Sequence, residues 1–356
     1  MRVLIVGGTV FLGRCIVDEL LRRGHSVTIL TRGRENPDLF PQCERVVADR
    51  NVDMAPLGSE SFDAVVDTCA YQPEGVRLLA GRLAPRTPRY LLISSSAVYQ
   101  GRVGGRDEDS PTWDRLDPDE VLSGPTLGRF KAACERELVS AYGDDAIILR
   151  CGRMTGPGDV ASRSRRDARG DLVADFDYDA AAGRIPYWPL RVSENGDFLA
   201  PEPRDQRVQV IDARDVATFV GDLLEEGRTG CFNVTGPTEY CLTMAGLLDA
   251  CIAAAGTDAT PVWVGEEYLL ANGVASGTEL PLWAPRRPDY YALDLARATD
   301  AGLRCRPLVE TMRDVLRWAQ QAPELALAPN SPVLGRERER RLIEGWRTAS
   351  EPGATP

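Results

Sequence analysis

The sequence predicts an α/β fold, a Rossmann-type doubly wound parallel sheet with a smaller C-terminal substrate-binding lobe. Three observations predict it. Short apolar runs alternate with helical patterns through the first half of the chain, and a glycine-rich turn joins the first run to the first helix. After Arg153 the chain turns to glycine, proline and charge, which marks a change of architecture.

Taken in order, Val3 to Val6 reads as a strand, Phe11 to Arg23 as a helix, and Val27 to Leu30 as the second strand. Val46 and Val47, Ala64 to Val66 and Tyr90 to Ile93 continue the apolar series. Leu127 to Tyr142 has helical periodicity and leads to a strand at Ala146 to Leu149. Residues 1–155 form the predicted nucleotide-binding domain, to which a strand at Val208 to Ile211 and a helix at Arg214 to Glu226 return (206–227). Residues 156–205 and 228–320 make the predicted second lobe, which Cys231 to Val234 and Met244 to Ala255 begin after that return. Within it, 161–183 reads as a lid-like insertion, with Arg163, Arg165, Arg166 and Arg169 at its start. Residues 321–356 form a loose extension with a short charged helix at Glu337 to Trp346.

The chain has 356 residues, 43% hydrophobic and 27% charged, enough to bury a substantial core. Its formal charge of -11 argues against nucleic acid as a partner, because backbone binding needs clustered positive charge. Met1-Arg2-Val3-Leu4 runs directly into a strand and no apolar stretch reaches membrane-spanning length, so a cytoplasmic protein without a membrane partner is expected. Nine scattered cysteines contain no C-x-x-C pair, and His25 is the single histidine. Free thiols are therefore expected, with no metal site and no histidine-based triad. The expected partner is a small-molecule substrate, and the expected state a monomer or homodimer.

The turn Gly7-Gly8-Thr9-Val10-Phe11-Leu12-Gly13 lets the backbone approach a pyrophosphate at a helix N-terminus. Val10 stands where a middle glycine is commonest, so its side chain must avoid the phosphates. The second strand leads to Thr31-Arg32-Gly33-Arg34, where an NAD-selective site would place a carboxylate. Arg32 and Arg34 instead suit a 2′-phosphate through charge-assisted hydrogen bonds, so the expected cofactor is NADP(H).

These features, with Ala48-Asp49-Arg50, Val66-Asp67-Thr68-Cys69-Ala70-Tyr71, Ser94-Ser95-Ser96-Ala97-Val98-Tyr99, Gly128-Arg129-Phe130-Lys131-Ala132-Ala133-Cys134-Glu135 and Phe232-Asn233-Val234-Thr235-Gly236-Pro237, resemble the extended and atypical short-chain dehydrogenases. The similarity covers nearly the whole length and is greatest to the actinobacterial NAD-dependent epimerase/dehydratase-like reductases. It implies that Asp49 and Arg50 border the adenine, Cys69, Ala70 and Tyr71 the ribose and pyrophosphate, and Lys131 the nicotinamide ribose. Ser94 and Cys151 to Met154 would border the cofactor as well. Ser95, or its neighbour Ser96, would hydrogen-bond the substrate oxygen.

The family's acid/base tyrosine lies one helical turn before the lysine, where the ammonium lowers the phenol's pKa. Here that place is Leu127, which has no proton to give. Loss of a positioned general acid costs about 10² to 10⁴ in rate, so a replacement is needed if the substrate requires a proton. Tyr99, Tyr71, Tyr187 and the carboxyl groups Asp175, Asp177 and Asp179 are the candidates, while Leu127, Tyr178, Tyr187 and Trp188 are candidate substrate-wall residues. The leading expectation is an NADPH-dependent reductase of a C=O or C=N group. A non-redox dehydratase, cyclase or isomerase and a nucleotide-sensing regulator are the alternatives.

Overall fold

A computed structural model describes residues 1–101, 104–159, 185–287, 289–327 and 332–350. In chain order its elements are β1 (Arg2–Val6), α1 (Phe11–Arg22), β2 (Ser26–Thr31), β3 (Glu44–Val47), β4 (Ala64–Asp67), α2 (Pro73–Leu83), β5 (Tyr90–Ser95), α3 (Leu127–Tyr142) and β6 (Ala146–Cys151). There follow β7 (Met154–Thr155), α4 (Tyr187–Ser193), β8 (Asp197–Pro201), β9 (Ile211–Asp212), α5 (Ala213–Glu226), β10 (Gly230–Val234), α6 (Met244–Ala255) and β11 (Thr260–Val264). The helices α7 (Glu266–Ala271), α8 (Ala296–Asp300), α9 (Leu308–Gln321), α10 (Pro323–Ala326) and α11 (Arg336–Ala349) complete the described chain.

One compact unit comprises Met1–Met154, Val210–Thr238 and Leu293–Cys305. Its parallel sheet has the order β10-β6-β5-β4-β1-β2-β3, with the chain reversing its direction of travel between β1 and β4. Alternation along β1 explains why helices cover both faces. Val3 and Ile5 pack with Ile16, Val17 and Leu20 of α1 and with Val216, Phe219 and Val220 of α5. Leu4 and Val6 face the other way, toward Val76 and Leu79 of α2 and Cys134 and Leu138 of α3.

Two expectations need correction here. The segment Cys231 to Val234 does not begin a second lobe, because β10 pairs in parallel with β6 and closes one edge of the main sheet. Helix α5 is the crossover that delivers it, and Phe232 and Val234 are buried in the same core as α1 and α5. Residues Leu293–Cys305 also join this unit, with Ala298, Ala301 and Leu303 in that core and the Asp294 carbonyl accepting from Asn233 Nδ2 at 3.0 Å. The expected strand at Val208 to Ile211 is reduced to Ile211–Asp212 and adds no strand to the sheet. Ile211 N–H bonds the Arg153 carbonyl at 3.0 Å instead.

The second unit comprises Thr155–Gln209, Glu239–Ala292 and Arg306–Pro356. Its β8 and β11 pair in parallel, and Tyr187 and Trp188 are buried in an edge-to-face pair with centroids 4.9 Å apart. The C-terminal helix is longer than expected and is not a loose appendage. Glu339 of α11 is 2% exposed, accepts Arg191 Nε at 2.8 and 3.0 Å, and also accepts the Leu199 N–H at 3.1 Å. Trp346 lies against Gly265, where a Cβ would come within 2.8 Å of the indole. Among the described residues no helix is long and apolar enough to cross a membrane.

Because Glu339 balances a guanidinium taken out of water, its removal leaves an uncompensated buried charge. Glu339→Ala is expected to destabilise the protein by about 3–5 kcal/mol in urea unfolding, and Glu339→Leu with Arg191→Met to recover most of that loss. Equal melting of Glu339→Ala and the parent would show that α11 is not held by this pair.

Candidate nucleotide-binding site

The glycine-rich turn leaves β1 with Gly7 N–H bonded to the Leu30 carbonyl at 2.9 Å. Gly7 and Gly8 take φ of +101° and +91°, a region that side chains oppose. A Cβ on Gly7 would also collide with Thr68 Oγ1, and one on Gly13 would lie 2.8 Å from Gly8 N. The turn therefore presses against both the β4 loop and its own helix. Val10 caps α1 without a side-chain hydrogen bond, and the first turn carries no acidic residue. Its N–H groups and the positive end of the helix are available to an anion, so the cradle fits a pyrophosphate.

Within the cradle, Val10 is 42% exposed while Leu12 is buried in the core, so Leu12 serves the helix packing. Phe11 opens α1 and packs partly on the same core. Thr9 is buried, and its carbonyl accepts Asn36 Nδ2 at 2.7 Å. That bond ties the loop after β2 to the phosphate turn. Asn36 was not picked out from the sequence, although its place two residues beyond Arg34 could have drawn attention to it.

Arg32 and Arg34 are both exposed, and neither pairs with a carboxylate among the described residues. Thr31 Oγ1 accepts the Gly33 N–H at 3.0 Å and shapes the loop that carries them. Arg50 behaves differently from its expected place beside the adenine. The residue is 6% exposed, and its guanidinium closes on the Asp67 carboxylate and the Cys69 carbonyl. Asp67 lies at the end of an apolar strand with no solvent exposure, so a neighbouring cation is what makes its burial tolerable. Asp49 is half-buried and accepts the Asn51 N–H at 3.0 Å.

Beyond β4, Cys69 is half-buried and Ala70 fully buried. Burial raises the Cys69 thiol pKa against the opposing pull of Arg50, Lys131 and Arg32. Tyr71 is 41% exposed, with its ring centroid 4.4 Å from Lys131 Nζ. The lysine is 4% exposed and donates to the Ile93 carbonyl at 2.9 Å, and its pKa is lowered, chiefly by burial. The structure thus brings Lys131, Tyr71 and the end of β5 together.

The three serines diverge. Ser94 is buried and donates to Glu135, which also receives Arg150 Nη2 at 2.8 Å. Ser95 Oγ accepts the Ala97 N–H at 3.2 Å, and Ser95 and Ser96 are half-buried. Tyr99, a candidate proton donor, is 2% exposed, and its hydroxyl donates to Asn233 Oδ1 at 2.6 Å while accepting Arg150 Nη1 at 3.2 Å. Burial pushes its pKa up to about 12. Tyr99 therefore belongs to the network beneath the sheet end rather than to an open site. Glu135 and Arg150 were given no role from the sequence, though charged residues inside apolar segments were a usable signal.

Leu127 opens α3 at 2% exposure. The next residue, Gly128, presses on the Ala97 carbonyl so closely that a Cβ would overlap it. Cys151 is buried with its thiol pushed up to about 12 by desolvation, and Met154 packs partly against the core. Tyr187 and Trp188 lie inside the second unit, whose core they fill, with Trp188 Nε1 bonded to the Pro281 carbonyl at 3.0 Å. Tyr178, Asp175, Asp177, Asp179 and the whole 161–183 insertion lie outside the described residues.

A family model described as the NAD dependent epimerase/dehydratase family matches residues 3–235. The chain belongs to that family. As an epimerase/dehydratase family member it is 26% identical over 275 residues to the chloroplast stem-loop binding protein of 41 kDa b of Arabidopsis thaliana, covering 72% of this chain. It is 26% identical over 261 residues to the 3-diazoavenalumate denitrifying reductase of a Streptomyces species, covering 66% of this chain and 76% of the relative. It is also 32% identical over 130 residues to an epimerase family protein of Bos taurus, covering 32% of this chain. The chain spans 63% of the length of the plant relative and 44% of the bovine one. Among solved structures, UDP-glucuronic acid 4-epimerase from Bacillus cereus in complex with NAD superposes with a TM-score of 0.62 at 14% identity, covering 90% of this chain and 99% of that one. A putative epimerase from Burkholderia cenocepacia gives 0.61 at 21% identity, covering 90% and 98%. These similarities bear out the extended short-chain dehydrogenase fold.

Gly7→Val meets two obstacles, the positive φ and the Thr68 hydroxyl. It is expected to abolish nucleotide binding in calorimetry and to lower the melting temperature by several degrees, about 1–3 kcal/mol for a strained backbone. Unchanged affinity would place the phosphate elsewhere.

Proposed function

We propose that this family member is an NADPH-dependent reductase of a small organic C=O or C=N substrate, with its proton supplied from outside the usual helix position. The observation that carries the reading is Leu127. A buried leucine stands where the relay phenol belongs, while Lys131 and the serines at the end of β5 remain. Similarity to a denitrifying reductase supports a reductive activity over an epimerising one.

The residues of the first unit divide the work. Gly7 to Gly13 and the α1 N-terminus would hold the pyrophosphate, and exposed Arg32 and Arg34 the 2′-phosphate. A bound nicotinamide supplies a hydride. Ser95 already accepts from the Ala97 N–H, which leaves its own proton to donate to a substrate heteroatom. Lys131, fixed by the Ile93 carbonyl, adds positive charge near the place where negative charge develops on that atom.

The cofactor arm is tested by titrating NADPH and NADH fluorescence against the parent and Arg32→Ala with Arg34→Ala. Hydrogen bonds to charged groups contribute about 1.5–3 kcal/mol, so NADPH affinity should fall at least about tenfold and NADH affinity much less. Equal losses would remove the 2′-phosphate argument. A chain that binds neither nucleotide would defeat the reductase reading, and one that releases bound nucleotide in unchanged redox state after turnover would favour a non-redox enzyme.

Leu127→Tyr tests whether the leucine is a relic. The site around it is closed, and added volume in a packed region costs about 1–3 kcal/mol. The variant should unfold at lower urea and show lower NADPH-dependent activity on its natural substrate. A gain in turnover at unchanged stability would make the chain a conventional reductase carrying a defect.

A further inference from the structure

We infer that Asn36 is the positioning residue behind a preference for a 2′-phosphorylated cofactor, because it pins the loop that carries Arg32 and Arg34 to the pyrophosphate turn. The inference rests on the NADP(H) reading above for what the arginines meet, and on geometry for the pin itself. Asn36 Nδ2 donates to the Thr9 carbonyl at 2.7 Å. Thr9 is 5% exposed and immediately precedes Val10, the N-cap of α1. One amide thus joins the arm that would hold the 2′-phosphate to the helix end that would hold the pyrophosphate.

The loop is anchored at both ends and held by little between them. At its start β2 ends on Thr31, whose hydroxyl accepts the Gly33 N–H at 3.0 Å, and Gly33 turns the chain at φ +71°. At its far end Leu39 packs partly on the core that contains α1 and α5, and Phe40 is buried in it. Between those ends Arg32, Arg34, Asn36, Pro37 and Asp38 are exposed. Among the described residues, no side chain of 32–38 other than Asn36 makes a hydrogen bond or an ion pair.

Asparagine suits this position on two counts. The residue sits at φ +43°, in the left-handed region that asparagine enters more readily than other side chains do. Its backbone carbonyl receives the Leu39 N–H at 3.1 Å, so the chain turns back toward the core directly after the pin. Its amide meanwhile supplies a donor to the carbonyl of a buried residue, which would otherwise lose a partner.

Two arginines on a loose loop must give up backbone and rotamer freedom when they close on a phosphate, and that ordering subtracts from affinity. The Asn36 amide does part of the ordering before the cofactor arrives. Only a ligand that engages the loop gains from it, and NADH has no 2′-phosphate for Arg32 and Arg34 to grip. Asn36 therefore raises NADPH affinity through the arginines, without having to touch the phosphate itself.

The test titrates NADPH and NADH fluorescence against the parent chain, Asn36→Gly and Asn36→Ala, and against Arg32→Ala with Arg34→Ala in the parent and Asn36→Gly backgrounds. Glycine removes the amide and accepts the positive φ, whereas alanine removes it and strains the backbone. In Asn36→Gly, NADPH affinity should fall about threefold to tenfold, the range of one hydrogen bond, and NADH affinity less than about twofold. Removing the arginines should lower NADPH affinity at least about tenfold in the parent but no more than about threefold in Asn36→Gly, since unpinned arginines contribute less. Asn36→Ala should lose the preference as well. An equal fall for both nucleotides, additive losses, or a preference lost in Asn36→Ala but kept in Asn36→Gly would each overturn the coupling while the parent's preference for NADPH stands. A parent that binds NADPH no tighter than NADH overturns the 2′-phosphate reading and the coupling with it, a result read before any variant is compared.

Discussion

The carboxylate of Asp67 sits at the end of β4 with no access to water, and its partners link four parts of the first unit. Arg50 brings the segment after β3, Tyr90 brings the start of β5 at 2.8 Å, and the Cys69 N–H brings the loop beyond β4 at 3.0 Å. Burying a carboxylate and a guanidinium costs several kcal/mol for each ion, and only this completeness of hydrogen bonding offsets it. Taking away one member would leave the other buried and uncompensated, which is why the group acts as a whole. Arg50 extends the effect by gripping the Cys69 carbonyl as well. The path of Thr68 to Tyr71 follows, and with it the wall of the phosphate turn, where Thr68 Oγ1 donates to the Val6 carbonyl at 2.9 Å.

A second buried network organises the other side of the site. Glu135 of α3 receives Ser94 of β5 and Arg150 of β6, and Arg150 reaches on to the Tyr99 hydroxyl and the Glu108 carbonyl. Asn233 of β10 completes it through Tyr99 and through its N–H to Glu108 Oε1 at 2.6 Å. One helix and three strands are thereby registered by polar contacts in a region too enclosed for water to substitute. This arrangement separates the serine run by role, with Ser94 bound to the framework and Ser95 and Ser96 left at the rim.

Much of the sheet was legible because its strands are unbroken apolar runs, and β1, β2, β4, β5 and β6 fall within a few residues of where Val3, Val27, Ala64, Tyr90 and Ala146 start those runs. Strand β10 was misassigned for a topological reason. It follows β6 in the sheet but comes after the 155–209 segment in the chain, and five residues of apolar text do not say which sheet they join. The tight turn after β1 was readable from glycine positions, whereas the closeness of Gly7 to Thr68 is a product of the tertiary fold. Arg50 and Tyr99 carry the same lesson from the opposite direction. Their types suited a ligand contact, but an internal acid and an internal amide claim them, and nothing in linear spacing reports who faces whom.

The interleaving of the two units has a consequence for biosynthesis. The sheet's edge strand emerges from the ribosome only after residue 230, and the stretch Leu293–Cys305 that packs on the same core comes later still. A nascent chain ending near Cys151 would hold six strands with the flank of β6 bare, an open row of N–H and C=O groups able to recruit a neighbouring chain. Elongation runs at about 5–20 residues per second, so that flank stays bare for several seconds while the intervening segment is made. Slowing translation between β6 and β10 should therefore raise the aggregated fraction more than slowing it beyond Cys305.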